Sequence, residues 1–454
     1  CFVVGHQEDW PCTLDVDAPL GWRVATGLES TGESTFAAAN YEELIDCPLE
    51  VGLHELAAFS QDGVDYEVVY EGATPFDPET LVPALKRIVK AATDFWGKPP
   101  LKRYVFQYLE TNAGFLNGLE HRNSTIITGP VADPAQRTGL LAITAHEFFH
   151  LWNVKRLRPV EFGKFDYTRE AHTKALWVVE GFTEYFTERL VLRAGLQSGE
   201  AYLSVVTNLI QQLEAMPGRR NMSLEEASWT TWHFGDDRWN GALNYYVKGA
   251  LFGVALDLEL RGRSGNRLAL DDVMRAMWQS HGSVDKPYRT DEFEACAARL
   301  LGEPMDAFFD FHLRGREDYD WAQMLGHAGL ELVVRERLAT LGATLAPHDG
   351  GMRLENVAAG GAAQRAGLTI GDVLVAIDGV RATPALLEEL RHQGDAGEVV
   401  EVSYFRRDRL HQAPLTLGET RQYAIIAAPS ATEAQLAVRA DWLAQNAAKA
   451  GAAR

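Results

Sequence analysis

Cysteine is scarce in this sequence. Four cysteines (Cys1, Cys12, Cys47, Cys296) stand among 454 residues, too few for a disulfide scaffold. Cys1 could pair with Cys12, or Cys12 with Cys47, but free thiols are the favoured reading. Positive charge is also in short supply. Lysine and arginine number 43 against 63 acids, a formal charge of −20. That balance argues against nonspecific binding to nucleic acid or to anionic membranes. No apolar run reaches the about 20 residues that a membrane-spanning helix needs. The chain begins at Cys1 without a methionine and reads as processed or truncated. The missing signal peptide therefore leaves the compartment open: cytoplasm, or the periplasm or exterior of a bacterium.

The rest of the composition is that of a soluble globular protein, with 46% hydrophobic and 23% charged residues. The length suits roughly three domains at about 150 residues each. Residues 1–70 read as β-rich, with Cys1–Gly5, Gly21–Gly27 and Tyr66–Tyr70 between turns. They look like a partial domain whose first strands are missing. A helix is expected over 78–97, with Pro78 at its first position behind Asp77. Strand-like runs follow at Tyr104–Leu109 and Ser124–Thr128. Apolar residues then recur at helical spacing in 138–153, 170–195, 200–215, 242–261 and 291–301. Beyond Gly326 the pattern changes to short β runs broken by glycine pairs, with short helices at 361–366 and 383–393. An alanine-rich helix is expected at 431–448. The expectation is a multidomain α+β chain: a partial β domain at 1–70, a larger domain at 71–325, a small α+β domain at 330–418, and a tail at 419–454.

Chemistry concentrates at His146-Glu-Phe-Phe-His150. The stretch Leu140–Asn153 is apolar and free of Gly and Pro, so a helix is expected. There His146 and His150 lie one turn apart and face the same side. Two neutral imidazoles so placed suit Zn²⁺ at about 2.0–2.1 Å. Glu147 points about 100° around the helix. It is poorly placed as a ligand but well placed to take a proton from a metal-bound water.

A catalytic zinc needs a third protein ligand and an open position. Glu180 is the best candidate, in Trp177-Val-Val-Glu-Gly-Phe-Thr-Glu-Tyr-Phe186. An acid among Trp, Val and Phe is costly unless paired or bound to a metal. Glu184, one turn on, would accept the free ring N–H of a zinc histidine. The two acids could also exchange these roles.

The runs His146-Glu-Phe-Phe-His-Leu-Trp-Asn-Val-Lys-Arg-Leu-Arg-Pro159 and Val179-Glu-Gly-Phe-Thr-Glu-Tyr185 resemble the M61 glycyl aminopeptidases. These are gluzincins, similar to the M1 aminopeptidases. The resemblance implies a thermolysin-like catalytic domain with a mostly helical second half, and one zinc per chain. It also implies peptide substrates with a free N-terminus and small first residues, Gly or Ala. Two further roles are carried over from M1. Asn117-Gly-Leu-Glu-His121 stands where a Gly-x-Met-Glu-Asn strand binds the substrate amine, so Glu120 would be the amine anchor. Tyr245-Tyr-Val-Lys-Gly249 resembles a Tyr-x-Lys-Gly pattern, so Tyr246 rather than Tyr245 would stabilise the oxyanion.

Residues 330–417 resemble a PDZ domain of the bacterial protease type. The carrying runs are Gly350–Val357, Gly360–Leu368 and Ile370–Gly379. Such domains bind a peptide C-terminus by strand addition, and Asp349-Gly-Gly is a loose match to the loop that holds the carboxylate. Two other functions compete. One is a zinc endopeptidase in which Glu120 reads no amine. The other is a non-enzymatic peptide-binding protein with a structural zinc, which the intact Glu147 opposes. His121, His172 and His233 are expected at the surface or just behind the site. Trp229, Trp232 and Trp239 either wall the cleft or pack in the core.

Overall fold

Alternating inward residues Val64, Tyr66, Val68 and Tyr70 are buried and make Val64–Glu71 a strand of the main sheet. The computed structural model describes residues 8–233 and 238–445, with backbone alone at 238 and 239. The expected strand Cys1–Gly5, pairing by Cys1 and the end of the 431–448 helix lie outside the described residues. Cys12, Cys47 and Cys296 are free thiols.

The main sheet has five strands in the order Glu55–Gln61, Val64–Glu71, Arg103–Glu110, Ser124–Gly129, Asn117–Glu120. Asp62 and Gly63, at φ 53° and 74°, turn the first hairpin, as Asp-Gly favours. The second and third strands are parallel and are joined by the helix Pro78–Trp96. Asp77 caps that helix by accepting from the Thr80 N–H, as expected. Asn117–Glu120 is an edge strand, antiparallel to Ser124–Gly129. Pairing divides the β-rich stretch expected at 1–70. Strands up to Gly52 pair among themselves, whereas 55–71 belong to the main sheet.

The helix Arg137–Phe149 buries Leu140, Leu141, Ala145, Phe148 and Phe149. It stops short of the expected Asn153. The Lys155 and Leu157 N–H groups reach back to the His150 and Trp152 carbonyls, so the chain leaves through wide turns. The segment expected as a helix from 170 becomes helical only near Trp177. Trp177–Phe182 is a π-helix, continued by the α-helix Thr183–Arg193. This turn packs closely on a neighbouring helix. A Cβ at Gly181 would sit 2.5 Å from the Gly249 Cα, so the two backbones meet directly. The partner is the buried helix Tyr245–Ser264, capped by Asn244 on the Tyr246 and Val247 N–H groups.

The small domain has its own core, including Leu354, Leu374, Ile377, Val400 and Val402. Its strands Gly351–Val357, Val373–Ile377 and Val399–Arg406 and helices Ala362–Arg365 and Pro384–Gln393 match the expected runs. It is carried between two long strands, Leu330–Thr340 and Gly418–Ala427, which pair antiparallel. The chain after 418 therefore does not trail away. The helix Glu433–Trp442 returns to the main core, where Trp442 is fully buried. Its indole N–H donates to the Tyr185 hydroxyl. Among the described residues no helix is long and apolar enough to cross a membrane.

Candidate metal centre and active site

The helix Arg137–Phe149 and the π-turn after it bring three side chains to one point. The Glu180 Oε2 lies 3.4 Å from the His146 Nε2 and 3.3 Å from the His150 Nε2. All three donor groups fall within 4.8 Å of one another. A tetrahedral ion with bonds of about 2.0–2.1 Å has donor–donor edges of about 3.3–3.4 Å. The measured separations fit that edge, and the donor set of two imidazoles and a carboxylate is one zinc takes.

Both rings are oriented from behind. The His146 Nδ1 lies 3.1 Å from Glu184 Oε2. The His150 Nδ1 donates to the Asn153 carbonyl at 2.7 Å. Each Nε2 is thereby left free to bind a metal. Asn153 is itself pinned, its amide donating to the Val178 carbonyl and the Thr183 hydroxyl. It stood in the sequence run already quoted, but nothing local revealed that its carbonyl would steer a histidine.

Glu147 is buried, and its Oε2 has no hydrogen-bond partner among the described residues. An orphan carboxylate oxygen beside the donor set is where a water would be held. Burial pushes the Glu147 carboxyl up to about 7, against the lowering charges of His146 and His150 and with help from Glu120 and Glu180. The edge strand runs directly over it. A Cβ at Gly118 would sit 2.2 Å from Glu147 Oε1, so any side chain there would displace the Glu147 carboxylate. Two residues along, Glu120 has a carboxylate oxygen within 4.8 Å of Glu147 and His150.

Tyr246 enters from the first turn of the buried helix. Its ring centroid is 6.2 Å from that of His146. Burial first, then the charges of Glu180 and the neighbouring groups, push its phenol far above the usual value, so it stays a donor. Tyr245 stacks on it at 4.9 Å, but its hydroxyl accepts from Thr231 and lines a different part of the cleft. The structure thus brings together His146, Glu147, His150, Glu180, Glu184, Glu120 and Tyr246.

Cavities flank the centre on both sides. One of about 620 Å³ reaches from Glu120 and Glu180 past Leu176 and Trp232. One of about 480 Å³ lies beside Gly118, Glu147 and Tyr246. Trp229 and Trp232 are 44% and 59% exposed, so they do not pack in the core; Trp232 walls the first cavity. The Trp239 side chain lies outside the described residues. His172 and His233 stack on each other at the surface. His121, next to Glu120, is buried and bonded to Asp46, so it lies behind the site rather than at the surface.

Residues 139–252 match the M61 glycyl aminopeptidase family model, and residues 1–53 match the M61 N-terminal domain. Residues 353–402 match a PDZ domain. A crystal structure of an aminopeptidase N family protein from Idiomarina loihiensis is 26% identical. The alignment covers 98% of this chain and 81% of that one, with a TM-score of 0.90. An M1 zinc metallopeptidase from Deinococcus radiodurans aligns over 68% of this chain and 64% of its own, at 16% identity and a TM-score of 0.45. No curated protein matches significantly.

The PDZ domain has a groove of about 460 Å³ between the strand Ala343–His348 and the helix Pro384–Gln393, lined by Leu341, Leu345, Leu387 and Arg391. Asp349-Gly350 instead turns the hairpin between Ala343–His348 and Gly351–Val357 and is not among the groove residues. Thr340, Leu341 and Ala343 line the groove instead.

Proposed function

We propose that the protein is a zinc aminopeptidase that hydrolyses the first peptide bond of substrates with a free N-terminus. One observation carries the reading: Glu120, Glu147 and His150 present their polar atoms within 4.8 Å of one another. An acid with a task at the substrate amine thus stands beside the proton-transfer acid and the metal donors. His146, His150 and Glu180 would hold the ion. When bound, zinc polarises the scissile carbonyl and makes a nearby water acidic enough to attack.

The chain's own groups do the rest. Glu147, poised near neutrality, takes the proton of the attacking water and returns it to the leaving amine. Glu120 pairs with the α-ammonium and sets the register at the first residue. The Tyr246 phenol donates to the oxygen on which negative charge develops. Glu184 and the Asn153 carbonyl keep both imidazoles in one tautomer. The preference for Gly or Ala as first residue is proposed from the family alone.

A zinc endopeptidase is the second reading. The cavity of about 620 Å³ beyond Glu120 has room for residues upstream of the cut bond. Paired peptides, free and N-acetylated, separate the two. Acetylation removes the charge that Glu120 would bind, and kcat/KM should fall by about 30-fold or more. Equal cleavage of both peptides establishes the endopeptidase instead.

A further inference from the structure

The run after the histidine helix, Lys155-Arg-Leu-Arg158, has no part in the chemistry above, yet each cation is engaged. Lys155 Nζ lies 2.8 Å from Asp46 Oδ1. Arg156 donates to the Leu151 and Arg122 carbonyls and to Asn123 Oδ1, at 2.9, 3.0 and 3.2 Å. Arg158 pairs with Glu42 at 2.7 Å. Apart from the Leu151 carbonyl, these targets are of two kinds. Glu42 and Asp46 belong to the N-terminal segment. Arg122 and Asn123 belong to the turn that follows Glu120.

Asp46 grips the same turn from the other side. Its Oδ1 is 3.2 Å from the His121 Nδ1, and its Oδ2 accepts from the Arg122 N–H at 3.1 Å. The turn at 121–123 is therefore held between Asp46 and Arg156, and Lys155 ties Asp46 to the end of the histidine helix. The N-terminal segment is itself fixed to the main sheet, where Arg103 donates to the Thr26 and Leu28 carbonyls.

Glu120 needs such a grip. It sits at the last register pair of an edge strand, opposite Thr125, and one flank of that strand has no neighbouring strand. The cations in the clamp are largely buried, Arg156 and Arg158 at 8% and 2% exposure. Buried ion pairs add little net stability because desolvation offsets their attraction. What they supply here is a fixed position, and an error of about 1 Å in a positioning group can cost about 10²-fold in rate.

We propose that Asp46, contributed by the N-terminal segment, is a positioning residue: with Lys155 and Arg156 it fixes the turn at 121–123 and so the point where Glu120 receives the substrate α-ammonium. This rests on Glu120 as the amine anchor. The M61 N-terminal segment is then part of the substrate site.

A double-mutant cycle on the full chain tests it, with kcat/KM on an alanyl arylamide as readout and zinc content and melting temperature as controls. Asp46→Ala should lower kcat/KM by about 10-fold or more in the otherwise unaltered protein and by less than about 2-fold in a Glu120→Gln background. Asp46→Asn, which keeps the side chain's shape and one of its two acceptor oxygens, should recover part of the loss. Equal loss in both backgrounds, or no loss in the first, overturns the proposal. If Glu120→Gln alone leaves kcat/KM intact, the amine-anchor reading fails instead. Lys155→Met loosens the clamp from the opposite end and replaces Asp46→Ala in the cycle if that variant does not fold; additive effects there overturn the proposal equally.

Discussion

His146 is held by two carboxylates one helical turn apart. Its Nδ1 lies 3.1 Å from Glu184 and its Nε2 lies 3.4 Å from Glu180. Glu184 accepts the ring N–H and leaves Nε2 as a lone-pair donor. Glu184→Ala is expected to weaken zinc binding by about 10–100-fold. Competition against a chelator of known affinity measures it. An unchanged affinity removes Glu184 from the metal's support.

Acid stability depends on a second buried pair. Arg193 Nη2 lies 2.6 Å from Asp271 Oδ2. Burial would raise the Asp271 carboxyl, but Arg193 and three further arginines outweigh it and bring it from 3.8 down to about 2. A lowered pKa means that the unfolded chain binds the proton more readily between these values. Stability from this group is complete above about pH 4 and is lost as pH falls towards about 2. Asp271→Asn should flatten the acid limb of the stability curve in that window. It should also cost about 3–5 kcal/mol at neutral pH, because Arg193 loses its partner. Urea midpoints against pH decide; an acid limb that matches the parent's contradicts the assignment.

Trp442 stands near the end of the described chain, fully buried. It donates to the Tyr185 hydroxyl, which donates to Asp257. Trp442→Ala is expected to cost about 3–5 kcal/mol, read as a lower denaturant midpoint. An unmoved midpoint would make the last helix an appendage.

The sequence made some of this arrangement readable and hid the rest, for physical reasons. His146, Glu147 and His150 sit within one helical turn, where spacing alone fixes which side chains share a face. Glu180 was readable because an acid in an apolar segment demands a partner. The π-turn around it was not. It lies where Gly181 meets Gly249, a contact between helices that no local pattern encodes. The strands at 55–71 read as β structure, but their sheet is decided by pairing with Arg103–Glu110. The two arms that carry the PDZ domain escaped notice because they pair across the whole domain. Docking of the last helix turns on Val438 and Trp442, too little apolar surface to read as a core helix. Asp46 offered no signal at all, since its partners lie 75 and more residues away.

Zinc titration of the metal-free protein, with peptide hydrolysis followed throughout, tests the central claim most directly. Activity should be absent without metal and should reach its plateau at one equivalent of zinc. Glu147→Gln should bind the same equivalent with hydrolysis reduced by about 10²–10⁴-fold. Hydrolysis that survives complete metal removal, or that Glu147→Gln leaves intact, would contradict a zinc site built on His146, His150 and Glu180 with Glu147 as its base.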